Sequence, residues 1–388
     1  MIESVIRLIE KGLGKFLSYK TLVETSCKFN VPLAPPLIAA VQVTLRCNSK
    51  CSYCPIWKLK DDFPVVSLNN LDKVFSSLRD LGVRIVTLTG GEPLLRNDLE
   101  DAIFLAKHYG MLVEICTNGI LLTKDRILKL AEAGTGSITL SLDTLDSGTY
   151  ERHRGVSFKF AEQALASLLY IVKEYPALSG CVTCVITRHN IGKLVPFVNW
   201  VSEYGGGRIL VNLQPYQQPP PPQVSQGITS RFQELANQLL SCYRDRPSED
   251  DLISSPELRT ILEREVQELI RLKKHGTSFP LNNSEFYLKS MSDFLFDNKL
   301  PKGFDCVAGY IGIVIRSDLE VSPCWRLPPI GDLETQSLWE IWFSQEYRGQ
   351  RLAMKHLKCP GCMLLCHREP GWYEWYNTIY VSRKEESC

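Results

Sequence analysis

A chain of 388 residues is long enough for two domains, or for one barrel of about 200–250 residues with appendages. Its 44 Lys and Arg nearly balance 43 Asp and Glu, and a net charge of +1 excludes the one-signed surface that attracts nucleic acid or an anionic membrane. No apolar run approaches the ~18 residues that span a bilayer, and fourteen cysteines without an export signal point to reduced thiols and metal ligation in the cytoplasm, not to disulfides.

Residues 1–38 form an N-terminal helical segment. Val5, Leu8, Ile9, Leu13 and Phe16 recur at helical spacing, which predicts an amphipathic docking helix that Pro32, Pro35 and Pro36 then end. From 39 to 216 short apolar strands alternate with amphipathic helices. Strands are predicted at 39–45, 85–89, 112–117, 137–142, 182–187 and 208–214. One helix carries the stripe Leu71, Val74, Phe75 and Leu78, another Ile127, Leu128 and Leu130, and further helices fit 97–109, 160–174 and 192–204. Six such units predict an α/β fold, a partial (β/α)6 barrel too short to close, with its site at the C-terminal strand ends.

Two segments fall at those ends. After the first strand, Cys47-Asn48-Ser49-Lys50-Cys51-Ser52-Tyr53-Cys54 sets three thiols on one tight loop. With no histidine nearby they are one ligand short of a closed zinc site, and they suit a [4Fe–4S] cluster with one iron left open; a zinc loop is the competing reading. Tyr53 is an aromatic that fits over a purine. After the second strand comes Gly90-Gly91-Glu92-Pro93, where two glycines let the backbone approach a ligand, Glu92 offers an acceptor and Pro93 fixes the turn.

The run Gln217-Gln218-Pro219-Pro220-Pro221-Pro222 ends the barrel and opens a segment, 217–300, of stiff loop and helical bridge that could cover the barrel mouth. The last part, 301–388, supplies Cys306, Cys324, Cys359, Cys362 and Cys366. A hairpin from Tyr310 to Val321, turning at Ser317-Asp318, brings the first two cysteines together, and Cys359-Pro360-Gly361-Cys362 is a two-thiolate knuckle. Four-cysteine zinc and a second [4Fe–4S] cluster both fit. Cys27, Cys116, Cys181, Cys184, Cys242 and Cys388 read as structural, with a lumen-facing hydrogen-atom donor as the alternative for Cys184.

The cysteine triplet and the GGEP turn together resemble the radical S-adenosylmethionine (SAM) enzymes, over 39–216. The resemblance implies that Cys47, Cys51 and Cys54 hold a [4Fe–4S] cluster whose open iron chelates SAM. It also implies that Tyr53, Gly90, Gly91, Glu92 and Pro93 contact SAM, with Asn118, Ser141 and Arg154 at further contact positions; Arg154 suits bidentate pairing with a carboxylate. The C-terminal cysteines resemble the twitch or SPASM extension, which implies one auxiliary [4Fe–4S] cluster drawn from Cys306, Cys324, Cys359, Cys362 and Cys366. Here Leu319 stands where SPASM domains have glycine, and the later cysteine spacing is shorter. The activity that the resemblance implies is hydrogen-atom abstraction by a 5′-deoxyadenosyl radical. The substrate is most simply a ribosomally made peptide that is crosslinked, epimerised or excised. A small-molecule dehydrogenase, for instance of an aminosugar, and a non-catalytic iron–sulfur electron carrier are the alternatives. The implied partners are a separate small recognition protein, since the first 38 residues are too short to be one, and a flavodoxin- or ferredoxin-type reductant. Neither nucleic acid nor stable membrane insertion is expected.

Overall fold

A computed structural model of the protein describes residues 19–59, 65–217, 255–275, 279–300, 306–359 and 362–363. The docking-helix positions 5–16, the prolines 219–222, and Cys242, Cys366 and Cys388 lie outside the described residues.

Six strands, β1 (Ile38–Thr44), β2 (Ile85–Gly90), β3 (Leu112–Thr117), β4 (Thr135–Ser141), β5 (Ser179–Ile186) and β6 (Ile209–Pro215), lie side by side in chain order, each parallel to the next. Helices cover their outer face: α2 (Leu68–Leu81), α3 (Leu99–His108), α4 (Lys124–Glu132), α6 (Lys159–Glu174) and α7 (Leu194–Gly205), with α1 (Tyr19–Phe29) ahead of β1 and a short α5 (Ser147–Arg154) between β4 and α6. The strands alternate with period two. Val41, Val43, Val86, Leu88, Val113 and Ile115 enter the helix-covered core, while Gln42, Thr87, Glu114 and Cys116 face the barrel interior.

Local sequence explains the helices. In α2, Ser67 caps the first turn by accepting from the Asn70 N–H, Leu71, Val74, Phe75 and Leu78 form the buried stripe, and Gly82 at φ +92° ends it. Each of those four buried side chains contributes roughly 1.5–3 kcal/mol relative to exposure. Helix α5 has no such stripe. Its buried residues are Thr149, Tyr150, His153 and Arg154, and it owes its place to packing against the cysteine loop.

The sheet does not stop at six strands. β7 (Gly312–Ile315) pairs in parallel with β1, from Ile38↔Gly312 to Val41↔Ile315, and β8 (Glu320–Ser322) and β9 (Gly331–Asp332) extend it antiparallel. The expected hairpin is therefore present, but Tyr310 and Ile311 belong to the short helix α10 (Ala308–Ile311). The physical gain is clear, because β1 would otherwise present an unpaired backbone edge. Beyond the hairpin, α11 (Leu338–Phe343) and α12 (Gln345–Lys355) close over Arg351, whose guanidinium lies 4.1 Å from the Trp342 ring and 4.0 Å from the Tyr347 ring and donates to the Gly309 and Trp342 carbonyls.

The described part of the bridge packs against the last βα units of the barrel. α8 (Pro256–His275) and α9 (Glu285–Asp297) pack along α7 and β6, burying Leu262, Val266 and Leu269. Glu265 of α8 fixes that docking: one oxygen accepts from the Leu194 N–H at 2.7 Å at the start of α7, the other from the Gly192 N–H at 2.7 Å. Among the described residues no helix is long and apolar enough to cross a membrane.

Candidate active site at the strand ends

The two sequence motifs meet because β1 and β2 are neighbours. The Gly91 N–H donates to the Thr44 carbonyl and the Glu92 N–H to the Arg46 carbonyl, both at 2.8 Å. The glycines permit this contact. A Cβ on Gly90 would stand 2.0 Å from the Thr44 carbonyl oxygen, one on Gly91 2.2 Å from that of Arg46, and Gly90 is at φ +140°. Pro93 then opens a single 3₁₀ turn, Pro93–Leu95.

Glu92 is 1% exposed and tied to β3. It accepts from the Leu94 N–H at 3.0 Å, the Thr117 hydroxyl at 2.7 Å and the Asn118 N–H at 2.7 Å. Burial nevertheless pushes its carboxyl up to about 7, ahead of the lowering effect of those donors. The Asn118 side chain reaches the cysteine loop, donating to Asn48 Oδ1 at 2.9 Å and pointing at Cys47 Sγ at 3.8 Å. Glu92, Asn118 and Cys47 thus form one contiguous group. Ser141 is the half-buried last residue of β4, beside Thr183 of β5.

On its other side the loop is braced by α5. The Lys50 N–H donates to the Arg154 carbonyl at 3.0 Å, the Ser52 N–H to the His153 carbonyl at 2.7 Å, and the Ser49 hydroxyl to the Arg154 carbonyl at 3.0 Å. Ser49 Oγ also lies 3.2 Å from Cys51 Sγ, and the Trp57 indole N–H donates to the Cys51 carbonyl.

The guanidinium fork of Arg154 is engaged within the protein. Its Nε and Nη2 each donate to Asp143 at 2.8 Å, with both side chains almost fully buried, and Nη1 points at Cys51 Sγ at 3.8 Å. The bidentate carboxylate partner of Arg154 in this structure is therefore Asp143. The same carboxylate accepts from the Tyr53 hydroxyl at 2.8 Å and the Val185 N–H at 2.9 Å. Tyr53 is held at its tip, with Arg154 5.5 Å from its ring centroid and His153 and Tyr216 against its edges. Asp143 is the residue sequence reasoning passed over; its signal was the pairing of an acid two residues past a strand-end Ser with a later Arg-Gly.

Burial pushes the Cys47 thiol up to about 12, with Glu92, Cys51 and Cys54 adding to the effect. Four more thiols gather beside the barrel. Burial drives Cys306 well up, with further raising from Cys324, Cys362 and Cys359, and burial likewise raises Cys324, with Cys359 adding to it. Their surroundings are apolar, namely Ala308, Leu327 and Met354. Cys362 is seated by Met363, whose N–H donates to Gln217 Oε1 and whose carbonyl accepts from the Tyr287 hydroxyl. Among the described residues no three Cys, His, Asp or Glu side chains stand in position to hold a single metal ion. Leu319, at the glycine position of SPASM domains, adopts φ +69°.

Cys184 does not face the lumen. It is fully buried in the helix-side core with Val182 and Ile186, its thiol donating to the Asp143 carbonyl at 3.3 Å. The inward thiols are Cys116 and Cys181, the latter accepting from Asn212 Nδ2 at 3.1 Å.

A model of the radical SAM superfamily matches residues 41–193, and a model of the SPASM iron–sulfur cluster-binding domain matches residues 306–366. The chain thus carries a radical SAM domain followed by a SPASM domain. PqqA peptide cyclase of Bradyrhizobium diazoefficiens is 28% identical over 195 residues, 50% of this chain and 49% of that protein. GTP 3′,8-cyclase of Chlorobaculum tepidum is 32% identical over 184 residues, 45% of this chain and 53% of that one. The chain thus spans about half the length of these curated relatives. Among solved structures, SuiB of Streptococcus suis bound to S-adenosylmethionine superposes with a TM-score of 0.60 at 18% identity, over 90% of this chain and 77% of SuiB, a likeness of fold.

The radical SAM domain implies a [4Fe–4S] cluster and SAM, and the SPASM domain implies an auxiliary iron–sulfur cluster. The donor sets fit. Each set offers three or more free cysteine thiols, the ligand type that holds such clusters. Arg154, Asn118 and the Ser49 hydroxyl add donors near the sulfurs of the first set.

Proposed function

We propose that this radical SAM enzyme removes a hydrogen atom from a ribosomally made peptide. The observation that carries the radical reading is the convergence of Cys47, Glu92 and Asn118 at adjacent strand ends. When bound, the cluster and SAM supply a one-electron reduction that makes a carbon radical able to abstract hydrogen. The protein's residues do the rest. Cys47, Cys51 and Cys54 hold the cluster, Gly90 and Gly91 let the end of β2 close against the Thr44 and Arg46 carbonyls beside that loop, and Glu92 ties β2 to Asn118. The Tyr53 ring, held at its hydroxyl by Asp143, offers an apolar wall for the adenine. Cys306, Cys324, Cys359 and Cys362, with Cys366 as a fifth candidate, hold the auxiliary cluster.

The peptide reading is supported by the name of PqqA peptide cyclase, by the SuiB structure with precursor peptide SuiA, and by the anSMEcpe structure with the Cp18Cys peptide. A small-molecule reading draws on the GTP 3′,8-cyclases. Against a polyphosphate substrate, β1–β6 contain no Lys or Arg, so the barrel wall offers that anion no cation. A recognition protein that delivers the peptide and a flavodoxin- or ferredoxin-type reductant complete the proposal.

Anaerobic protein given reductant and SAM is expected to release 5′-deoxyadenosine; its absence would return the chain to the electron-carrier reading. Co-expression with a neighbouring precursor-peptide gene should then yield, by mass spectrometry, a peptide that has lost two hydrogens, inverted a residue at constant mass or lost a fragment. A neighbourhood of sugar or nucleoside genes with an unmodified peptide would favour the small molecule.

A further inference from the structure

Glu114 is the only charged residue in the six strands of the barrel. It alternates with Val113 and Ile115, both buried in the helix-side core, so its carboxylate faces the interior on the same side as Cys116 and Asn118. Two threonines fix its position: Oε2 accepts from the Thr87 hydroxyl at 2.7 Å and Oε1 from the Thr139 hydroxyl at 2.9 Å. The side chain is half-buried, so part of it stays accessible. Among the described residues no Lys, Arg or His pairs with it. The adjoining inward positions are neutral: Ser137 beside it on β4, Cys181 beside Thr139, and Asn212 beyond.

A purely structural clamp would not need this charge. Glutamine is the same size, bridges two hydroxyls equally well and avoids placing an uncompensated anion inside a sheet barrel, where a charge is costly unless paired. A carboxylate held on both oxygens by immobile hydroxyls keeps one geometry and still has acceptor capacity left on each oxygen. Its depth is also informative. Glu114 lies four residues before Asn118 along an extended strand, about 13 Å below the strand-end group that contains Cys47. A ligand group that reaches it from the strand-end site must be carried on a chain extending about that far into the barrel.

We propose that the barrel interior at Glu114 is a subsite for a primary ammonium group of the substrate, with Thr87 and Thr139 as positioning residues for the carboxylate. The inference deepens the proposed function and rests on reading the barrel as the substrate chamber. It adds that the accepted peptide, or the small molecule in its place, presents an amine on an extended chain.

The test uses Cys116, two residues along the same inward face, as a reporter. Its thiol is pushed up by burial and feels the Glu114 charge, so labelling is slow and the ratio between reagents is the readout. Cluster-loaded protein is treated with the cationic reagent aminoethyl methanethiosulfonate or its neutral methyl analogue, and Cys116 is quantified by peptide mass spectrometry. Relative to the neutral reagent, the cationic one is expected to label the native protein about tenfold faster than Glu114→Gln, the low end of what a charge-lined cleft achieves. Equal ratios in the two proteins overturn the proposal. A second measurement needs no variant. Putrescine should protect Cys116 in the native protein where butanediol, its neutral counterpart, does not, and equal protection by both, or by neither, overturns it. Neither readout depends on SAM turnover, so failure here leaves the radical SAM reading standing, and loss of SAM cleavage leaves this one standing.

Discussion

The two thiol groups of this protein have different surroundings. The Cys47–Cys54 loop sits in a polar frame. Two backbone N–H groups tie it to α5, Asn118 and Ser49 lie against its sulfurs, and the buried Asp143–Arg154 pair stands directly behind Cys51. Cys306, Cys324 and Cys359 instead cluster with Ala308, Leu327 and Met354; the Arg326 N–H donates to Cys324 Sγ, and the Arg326 and Arg316 charges act on the same thiol. Fixed dipoles around the first group suit a site that must admit a ligand and change charge.

Deleting each thiol group in turn puts this contrast under the greatest strain. Replacing Cys47, Cys51 and Cys54 with Ala is expected to remove one cubane, four of about eight irons, and to abolish SAM cleavage. Replacing Cys306, Cys324, Cys359 and Cys362 should cost a similar amount of iron and leave uncoupled cleavage in place, with Cys366 substituted separately as the fifth candidate. Iron analysis and 5′-deoxyadenosine assay decide it. Cleavage surviving the first set, or vanishing with the second, reverses the assignment.

Asp143→Asn probes the polar frame alone. It leaves the Arg154 guanidinium, almost fully buried, without its partner charge. Breaking a buried pair in this way costs about 3–5 kcal/mol. Thermal unfolding should show the loss, and iron should drop at the Cys47 group while the auxiliary thiols keep theirs. An unchanged melting temperature would mean that the pair is dispensable. Exposed pairs such as Lys274 with Glu285 are expected to contribute almost nothing by the same measurement.

Glu92 provides a pH axis confined to the strand-end site. Its folded-state value of about 7 lies above the ordinary 4.5, so the folded chain holds a proton there that the unfolded chain has released. Between those two values stability therefore falls as pH rises, by at most about 3 kcal/mol, and is constant with respect to this group outside the window. Cluster-free protein should melt at progressively lower temperature from pH 4.5 to 7, and Glu92→Gln should flatten that slope. A slope unchanged in the variant would assign it to other groups.

A smaller effect than at Glu92 is expected at Leu319, in the auxiliary region. Its left-handed backbone, φ +69°, costs about 1–2 kcal/mol for a non-glycine residue, while burying its side chain returns roughly 1.5–3 kcal/mol. Leu319→Gly should therefore destabilise by about 1 kcal/mol, since glycine also loses more chain entropy on folding. Iron content should not change. A stabilised variant would show that the backbone term outweighs the side chain.

Much of the barrel was written locally. Its strands and helices follow from periodicity and from stops such as Gly82 and Gly110, and the observed strands fall within a few residues of the expected ones. The cysteine loop and GGEP turn were legible because their chemistry needs fixed residue types at short spacing. The glycines at 90 and 91 could be singled out from sequence, but the reason each excludes a Cβ, a carbonyl about 2 Å away on or just past β1, belongs to a neighbouring strand.

Tertiary structure decided the rest, and in each case the deciding contact joins residues distant in the chain. Cys184 and Cys181 lie three apart in β5 and so face opposite ways. Only the sheet's assembly sets which face is interior, placing Cys184 under the helices and Cys181 in the barrel. Arg154 looked free to bind a ligand carboxylate until folding brought Asp143 against it. The hairpin strand β7 carries no sequence mark that it will complete the edge of β1 some 270 positions earlier, because backbone pairing is indifferent to side chains. Sequence thus determined which chemistry is present at the strand ends, through short-range patterns. Long-range pairing and the inward or outward sense of each strand determined which groups surround it, because those depend on surfaces that exist only once the chain is folded.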